Sequence, residues 1–178
     1  MNQLPNQQLP YQLCNDAGAA GAGAFCILTI DWPLINERLG LLALAFALAF
    51  PLGWERGRGP RSAGFRTFPI VAMASCGYAL LARELPGADA ESLTRLIQGL
   101  AAGIGFIGGG AILKQKGHVQ GLVTAASIWN TGAIGVAVGF GRVEIACVLS
   151  LANFVSLLVL TPLGERLGHR LDKPDNGP

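Results

Sequence analysis

The sequence has 178 residues, 51% hydrophobic and 13% charged, whereas a soluble domain carries about 25% charged residues. A chain this poor in charge cannot build a water-facing surface, and its mean hydropathy of +0.45 points to lipid as the solvent around most of it. The net charge of +2, with no basic stripe interleaved with aromatics, argues against a nucleic-acid partner.

Residues 1–34 read as a flexible N-terminal tail, rich in Gln, Asn, Pro, Ala and Gly and too polar to bury a core. The first Lys or Arg is Arg38, so the tail lacks the positive start of a conventional signal peptide. Five apolar runs follow: Leu39–Trp54, Phe68–Leu85, Leu96–Leu113, Thr124–Phe140 and Val143–Leu163. Each approaches the ~20 residues that cross a bilayer core. None alternates with period 2, which excludes a lipid-facing barrel. The expected fold is therefore an all-α polytopic membrane bundle of about five transmembrane helices. A short tail, 166–178, closes the sequence.

Punctuation supports the parsing. Pro69 suits a first helical turn, Pro86-Gly87 ends the second run, and Pro51 is expected to kink the first. Gly139, Gly141 and Arg142 leave room only for a tight turn between runs four and five. With five spans, nine of the thirteen Lys and Arg fall on the side of the C-terminal tail. The positive-inside rule then predicts the N-terminus outside and the C-terminus in the cytoplasm.

No Lys, Arg, Asp, Glu or His lies near the middle of a run, which weakens a proton relay or a buried-carboxylate transporter. The polar residues within the runs are Ser75, Gln98, Ser127, Asn130, Thr131, Ser150, Asn153 and Ser156. Most are expected to bond neighbouring helices; Gln98 and Asn130 stand out because a buried amide needs several partners. Gly103-Ile104-Gly105-Phe106-Ile107-Gly108 matches GxGxxG, but it lies inside an apolar run and no acid follows about twenty residues on. Close helix packing through Gly103, Gly105, Gly108 and Gly109, with Thr124 and Asn130, is the preferred reading; a broken helix exposing its backbone is the other.

The loop after the first run carries Glu55, Arg56, Arg58, Arg61, Arg66 and Thr67. Charge there sets topology and attracts anionic headgroups; a partner protein or phosphate-bearing ligand is the functional alternative. Cys14, Cys26, Cys76 and Cys147 are widely spaced, His118 stands alone, and no catalytic triad or metal-ligand spacing is present. The sequence therefore predicts neither an enzyme nor a cofactor.

Three motifs in order carry a resemblance. Gly53-Trp54-Glu55-Arg56 leads to Ala63-Gly64-Phe65-Arg66-Thr67. Arg95 and Gly103 to Gly110 follow, and then Gly121-Leu122-Val123-Thr124-Ala125-Ala126-Ser127-Ile128-Trp129 and Gly135. Over residues 35–165 the chain resembles the MgtC/SapB family of bacterial inner-membrane proteins. It departs from the family pattern at Phe65 and Phe68, where Leu and His are usual, at Ser92 in place of an Asp, and at Val123. The resemblance implies a multi-pass inner-membrane protein linked to magnesium homeostasis, to survival of acid or low magnesium and, in pathogens, to virulence. It implies a regulator contacting other membrane proteins, ATP synthase among them, with transport of Mg²⁺ or another cation as the alternative. Some members carry a cytoplasmic C-terminal regulatory domain, whose role here is expected to be absent or filled by another protein. Homo-oligomerisation is left open.

Overall fold

The computed structural model describes residues 31–57, 64–85, 87, 89–115 and 118–171. The expected tail up to residue 30, the end of the C-terminal tail, and Arg58 and Arg61 lie outside the described residues. The chain divides into two compact units, Met1–Asn36 and Glu37–Pro178. The described part of the first is the start of a helix; the second holds the bundle.

Among the described residues five helices alternate with short connections: α1 Trp32–Gly57, α2 Gly64–Glu84, α3 Ala90–Gly110, α4 Leu122–Gly139 and α5 Val143–Leu171. Several begin earlier than the apolar runs, because local hydrogen bonds extend them into polar flanks. Helix α1 starts inside the segment expected to be tail: Asp31 Oδ1 accepts from Leu34 N at 3.4 Å, and Pro33 suits a first turn. Pro51 lies within it. Helix α2 starts a turn before Phe68, so Pro69 sits in its interior rather than its first turn. That extra turn is held by aromatic packing, with the Phe65 ring 5.4 Å from Phe50 and 5.8 Å from Trp54. Helix α3 opens at an Asp89 N-cap that accepts from Ser92 N at 2.8 Å. An exposed Glu91–Arg95 ion pair then follows along the helix.

Helix α3 ends at Gly110, short of the predicted Leu113, because the chain turns into a small hairpin. Strands β1 Leu113–Gln115 and β2 His118–Gln120 pair antiparallel, Lys114 opposite Val119. Gly121 follows at φ +92°, where a Cβ would strike the Ala111 carbonyl. The α4–α5 turn is as tight as the sequence predicts. Gly141 at φ +74° bonds Val138 O, and Arg142 N bonds Ala137 O at 2.8 Å, a Schellman closure of α4.

Helix α4 is the central element and packs against α2, α3 and α5. It buries Ser127, Ile128, Thr131, Gly132, Ile134, Gly135, Ala137, Val138 and Gly139. Apolar residues around its whole circumference are what a helix enclosed on several sides requires. Its closest neighbour is α2. A Cβ at Gly135 would fall 2.9 Å from Ser75 Cβ, and one at Gly139 would fall 2.7 Å from the Cys76 carbonyl oxygen. Only glycine permits these backbones to approach so nearly. Arg83 of α2 fastens the end of the contact, donating from Nη1 to Gly139 O at 3.0 Å. That cation sits at the negative end of the α4 dipole.

These contacts set direction. Ala72 meets Gly135 and Cys76 meets Gly139, so α2 and α4 run parallel. Helix α3 runs antiparallel to α4, since Gly108 meets Ala125 and Ile104 meets Gly132. Ser127 to Asn153 and Asn130 to Leu149 make α5 antiparallel to α4. The Arg38–Glu84 ion pair at one end and Phe50–Phe65 at the other make α1 antiparallel to α2. Direction therefore alternates along the chain, as successive membrane crossings demand.

Among the described residues four helices, α1, α2, α4 and α5, are long and apolar enough to cross a membrane. Helix α3 falls outside that set because glycine and its charged first turns dilute its hydropathy. It nevertheless lies along α4 from Ile104 to Gly108 and so shares its depth.

Two outcomes follow from this packing. Gly135→Leu or Gly139→Leu forces α2 and α4 apart, a strain of at least about 1–3 kcal/mol. A lowered melting temperature in detergent should report it, whereas Gly105→Leu, with open space around it, should melt like the wild type. Separately, the hydrogen bonds from Ser92 hold the Asp89 carboxyl below the ordinary aspartate value. A depressed carboxylate stabilises α3 above the unfolded pKa, and that support is lost as pH falls through the folded one. NMR titration should place the Asp89 midpoint below that of an unperturbed aspartate, and Ser92→Ala should return part of the difference.

Candidate functional site

The polar groups within the spans converge between α4 and α5. Val123, Ala126, Ser127 and Asn130 on α4 face Leu149, Ala152, Asn153, Ser156, Leu157 and Leu160 on α5 across a groove of about 430 Å³. Helical spacing explains the set: Ser127 and Asn130 are three residues apart, as are Asn153 and Ser156, so each pair shares a face. Ser127 Oγ donates to Asn153 Oδ1 at 3.2 Å, and Asn130 Nδ2 donates to Leu149 O at 3.3 Å. Thr131 and Ser156 turn their hydroxyls back onto the carbonyls of Ser127 and Ala152, both at 2.8 Å. On another side of α5, Ser150 Oγ reaches Leu48 O of α1 at 2.7 Å. Asn153 Nδ2 is buried and has no partner among the described residues. Every side-chain polar group lining this groove is an amide or a hydroxyl, so what the groove presents is hydrogen-bonding capacity without charge.

The residues singled out from sequence do not form one cluster. Asn130 belongs to the groove. Thr124 is half-buried in the first turn of α4. Gly108 is buried against the Ala125 backbone, 3.1 Å from a Cβ built there to the Ala125 oxygen. Gln98 is exposed on α3, and Gly103, Gly105 and Gly109 have no neighbouring atom of the described residues within 4 Å of where a Cβ would stand. Of the charged loop, Glu55 and Arg56 are half-buried at the end of α1, while Arg66 is exposed and Thr67 half-buried at the start of α2. Among the described residues no three His, Cys, Asp or Glu side chains gather as metal ligands would.

Two features were not read from the sequence. The Ser127–Asn153 bond joins residues 26 apart, and only the antiparallel register of α4 and α5 brings them together. The tight glycines on α4 were legible in principle, because Gly132, Gly135 and Gly139 recur at helical spacing. The longer glycine run in α3 outweighed them.

The profile of the MgtC family matches residues 42–166. The chain is 37% identical to "Protein SrpB" of Synechococcus elongatus over 143 residues, covering 74% of this chain and 75% of that protein. It is 34% identical to "Protein MgtC" of Brucella abortus, covering 76% of this chain and 56% of the relative. It is likewise 34% identical to the "Putative magnesium transporter YhiD" of Escherichia coli K12, covering 71% and 61%. The chain thus spans little more than half the length of the last two. No solved structure matches it significantly. With this match over most of its length, and a bundle of long apolar helices to go with it, the chain belongs to the MgtC family.

Proposed function

We propose that this chain is a non-catalytic protein of the bacterial inner membrane that serves magnesium homeostasis, or survival under stress, through contacts with other membrane proteins. The names carried by its relatives support the link to magnesium. ATP synthase is the partner the family resemblance implies.

The observation that carries the reading is the outer face of α3. Gln98, Ala102, Gly105 and Gly109 recur at i, i+4, i+7 and i+11, and all are exposed. Gly99, Gly103 and Gly110 continue the same surface, again with no neighbouring atom of the described residues within 4 Å of a built Cβ. In lipid, helices associate by close packing and hydrogen bonds rather than by the hydrophobic effect. A smooth glycine face with one amide at its edge suits the approach of a foreign helix. Phe106, 86% exposed, projects from it as an anchor. Exposed Arg66, at the α2 end where basic residues concentrate, adds a charged contact at the membrane boundary.

Transport of Mg²⁺ or another cation is the second reading. It is favoured by the name of the Escherichia coli relative and by the mid-span amides of the α4/α5 groove.

Folded protein in proteoliposomes should admit no more Mg²⁺ than empty liposomes, read with an entrapped indicator. Saturable influx abolished by Asn130→Ala would establish transport instead. On the regulator reading, Gly105→Leu should leave abundance unchanged but fail to restore growth at low magnesium in cells lacking their own copy. A reporter fused after Lys173 should be active only in the cytoplasm; periplasmic activity would reverse the predicted orientation.

A further inference from the structure

The α4/α5 groove is short of hydrogen-bond partners at a depth where lipid has none to give. Asn130 is the ninth residue of the 18-residue helix α4, and Asn153 the eleventh of the 18-residue apolar part of α5, so both lie near mid-span. Lipid tails offer no hydrogen-bond partner at that depth, and an unpaired amide there is costly. Asn130 donates through Nδ2 to Leu149 O, while its Oδ1 accepts no bond among the described residues. Asn153 has the opposite shortage: Oδ1 accepts from Ser127, and Nδ2 has no acceptor among the described residues. Exchanging the oxygen and nitrogen of the Asn153 amide moves the shortage from donor to acceptor without removing it.

A second observation concerns shape. Ala152 and Ser156 are exposed, four residues apart on α5, with exposed Ala126 across the groove on α4. This small-xxx-small spacing lets another helix backbone come close enough for short side chains to bond.

We propose that the α4/α5 groove is the interface of a two-fold symmetric dimer of this chain, in which the Asn130 and Asn153 amides of one copy bond those of the other. What completes the groove must offer a donor and an acceptor together. A lipid tail offers neither, a partner carboxylate only acceptors, and an ammonium only donors. A second copy offers both from the same residues, because a two-fold axis places each patch against itself. Asn153 Nδ2 is covered in the single chain, so pairing turns its amide outward into the groove. This surface is distinct from the α3 face and leaves that face free, so the two readings stand or fall separately.

The test uses the full chain in proteoliposomes, labelled at its C terminus with a donor or an acceptor dye and diluted with lipid. Energy transfer should report dimers, and Ala152→Leu and Asn130→Ala should each weaken association roughly tenfold. Gly103→Leu, on the α3 face, should leave association unchanged. With the four native cysteines replaced by serine, Ala152→Cys should oxidise to a covalent dimer and Ala102→Cys should not. Because Ala152 is exposed, its variant keeps the single chain folded, which circular dichroism checks. Protein monomeric at every dilution would overturn the proposal. So would a dimer indifferent to both Ala152→Leu and Asn130→Ala, whether it forms through α3 or elsewhere.

Discussion

The bundle depends on the contact between the backbones of α2 and α4. Gly135 and Gly139 leave no side chain between α4 and the Ala72–Ala79 face of α2, so the two helices seat against each other at the carbonyls. Within a membrane there is little hydrophobic gain from pressing one apolar helix on another; intimacy of packing and hydrogen bonding must supply the attraction. The Arg83 bond to Gly139 O sits at the end of this contact and ties the α4 terminus to α2. With α2 and α4 held parallel, α3 and α5 each return along α4 in the opposite sense. The short hairpin before α4 and the three-residue turn after it are long enough for that and no longer.

The same economy governs polar groups. Thr131 and Ser156 satisfy their hydroxyls on their own helices, and Ser150 spends its hydroxyl on α1. Among the described residues Ser127, Asn130 and Asn153 reach between α4 and α5, and there the accounting does not close, since Asn153 Nδ2 has no acceptor among them. Buried polar groups are almost always bonded, and this mid-span shortage is what the proposed dimer would supply.

The chain thus offers two different surfaces to its surroundings. One is smooth and built of glycine along α3; the other is notched and built of amides between α4 and α5. Helices associate in lipid by close backbone approach and by mid-span hydrogen bonds, and each surface is suited chiefly to one of these. Neither holds a titratable group among the residues named for it.

Much of the architecture was legible before any coordinates. Charge-poor composition and runs near bilayer length dictate membrane helices, because an apolar segment of that length has no other stable place. Gly139, Gly141 and Arg142 dictate a tight turn, because so few residues between two helices permit nothing longer. Helix starts were less legible: Asp31 and Asp89 recruit polar flanks that hydropathy alone assigns to loops. The role of each glycine within the α3 run was not legible. Gly103 and Gly108 are the same residue in the same run, yet five positions place them about 140° apart around the helix. One therefore lies open, and the other rests on Ala125. Composition determines that helices can approach closely; which faces meet depends on the register of neighbours far away in sequence, and only the tertiary structure decides it.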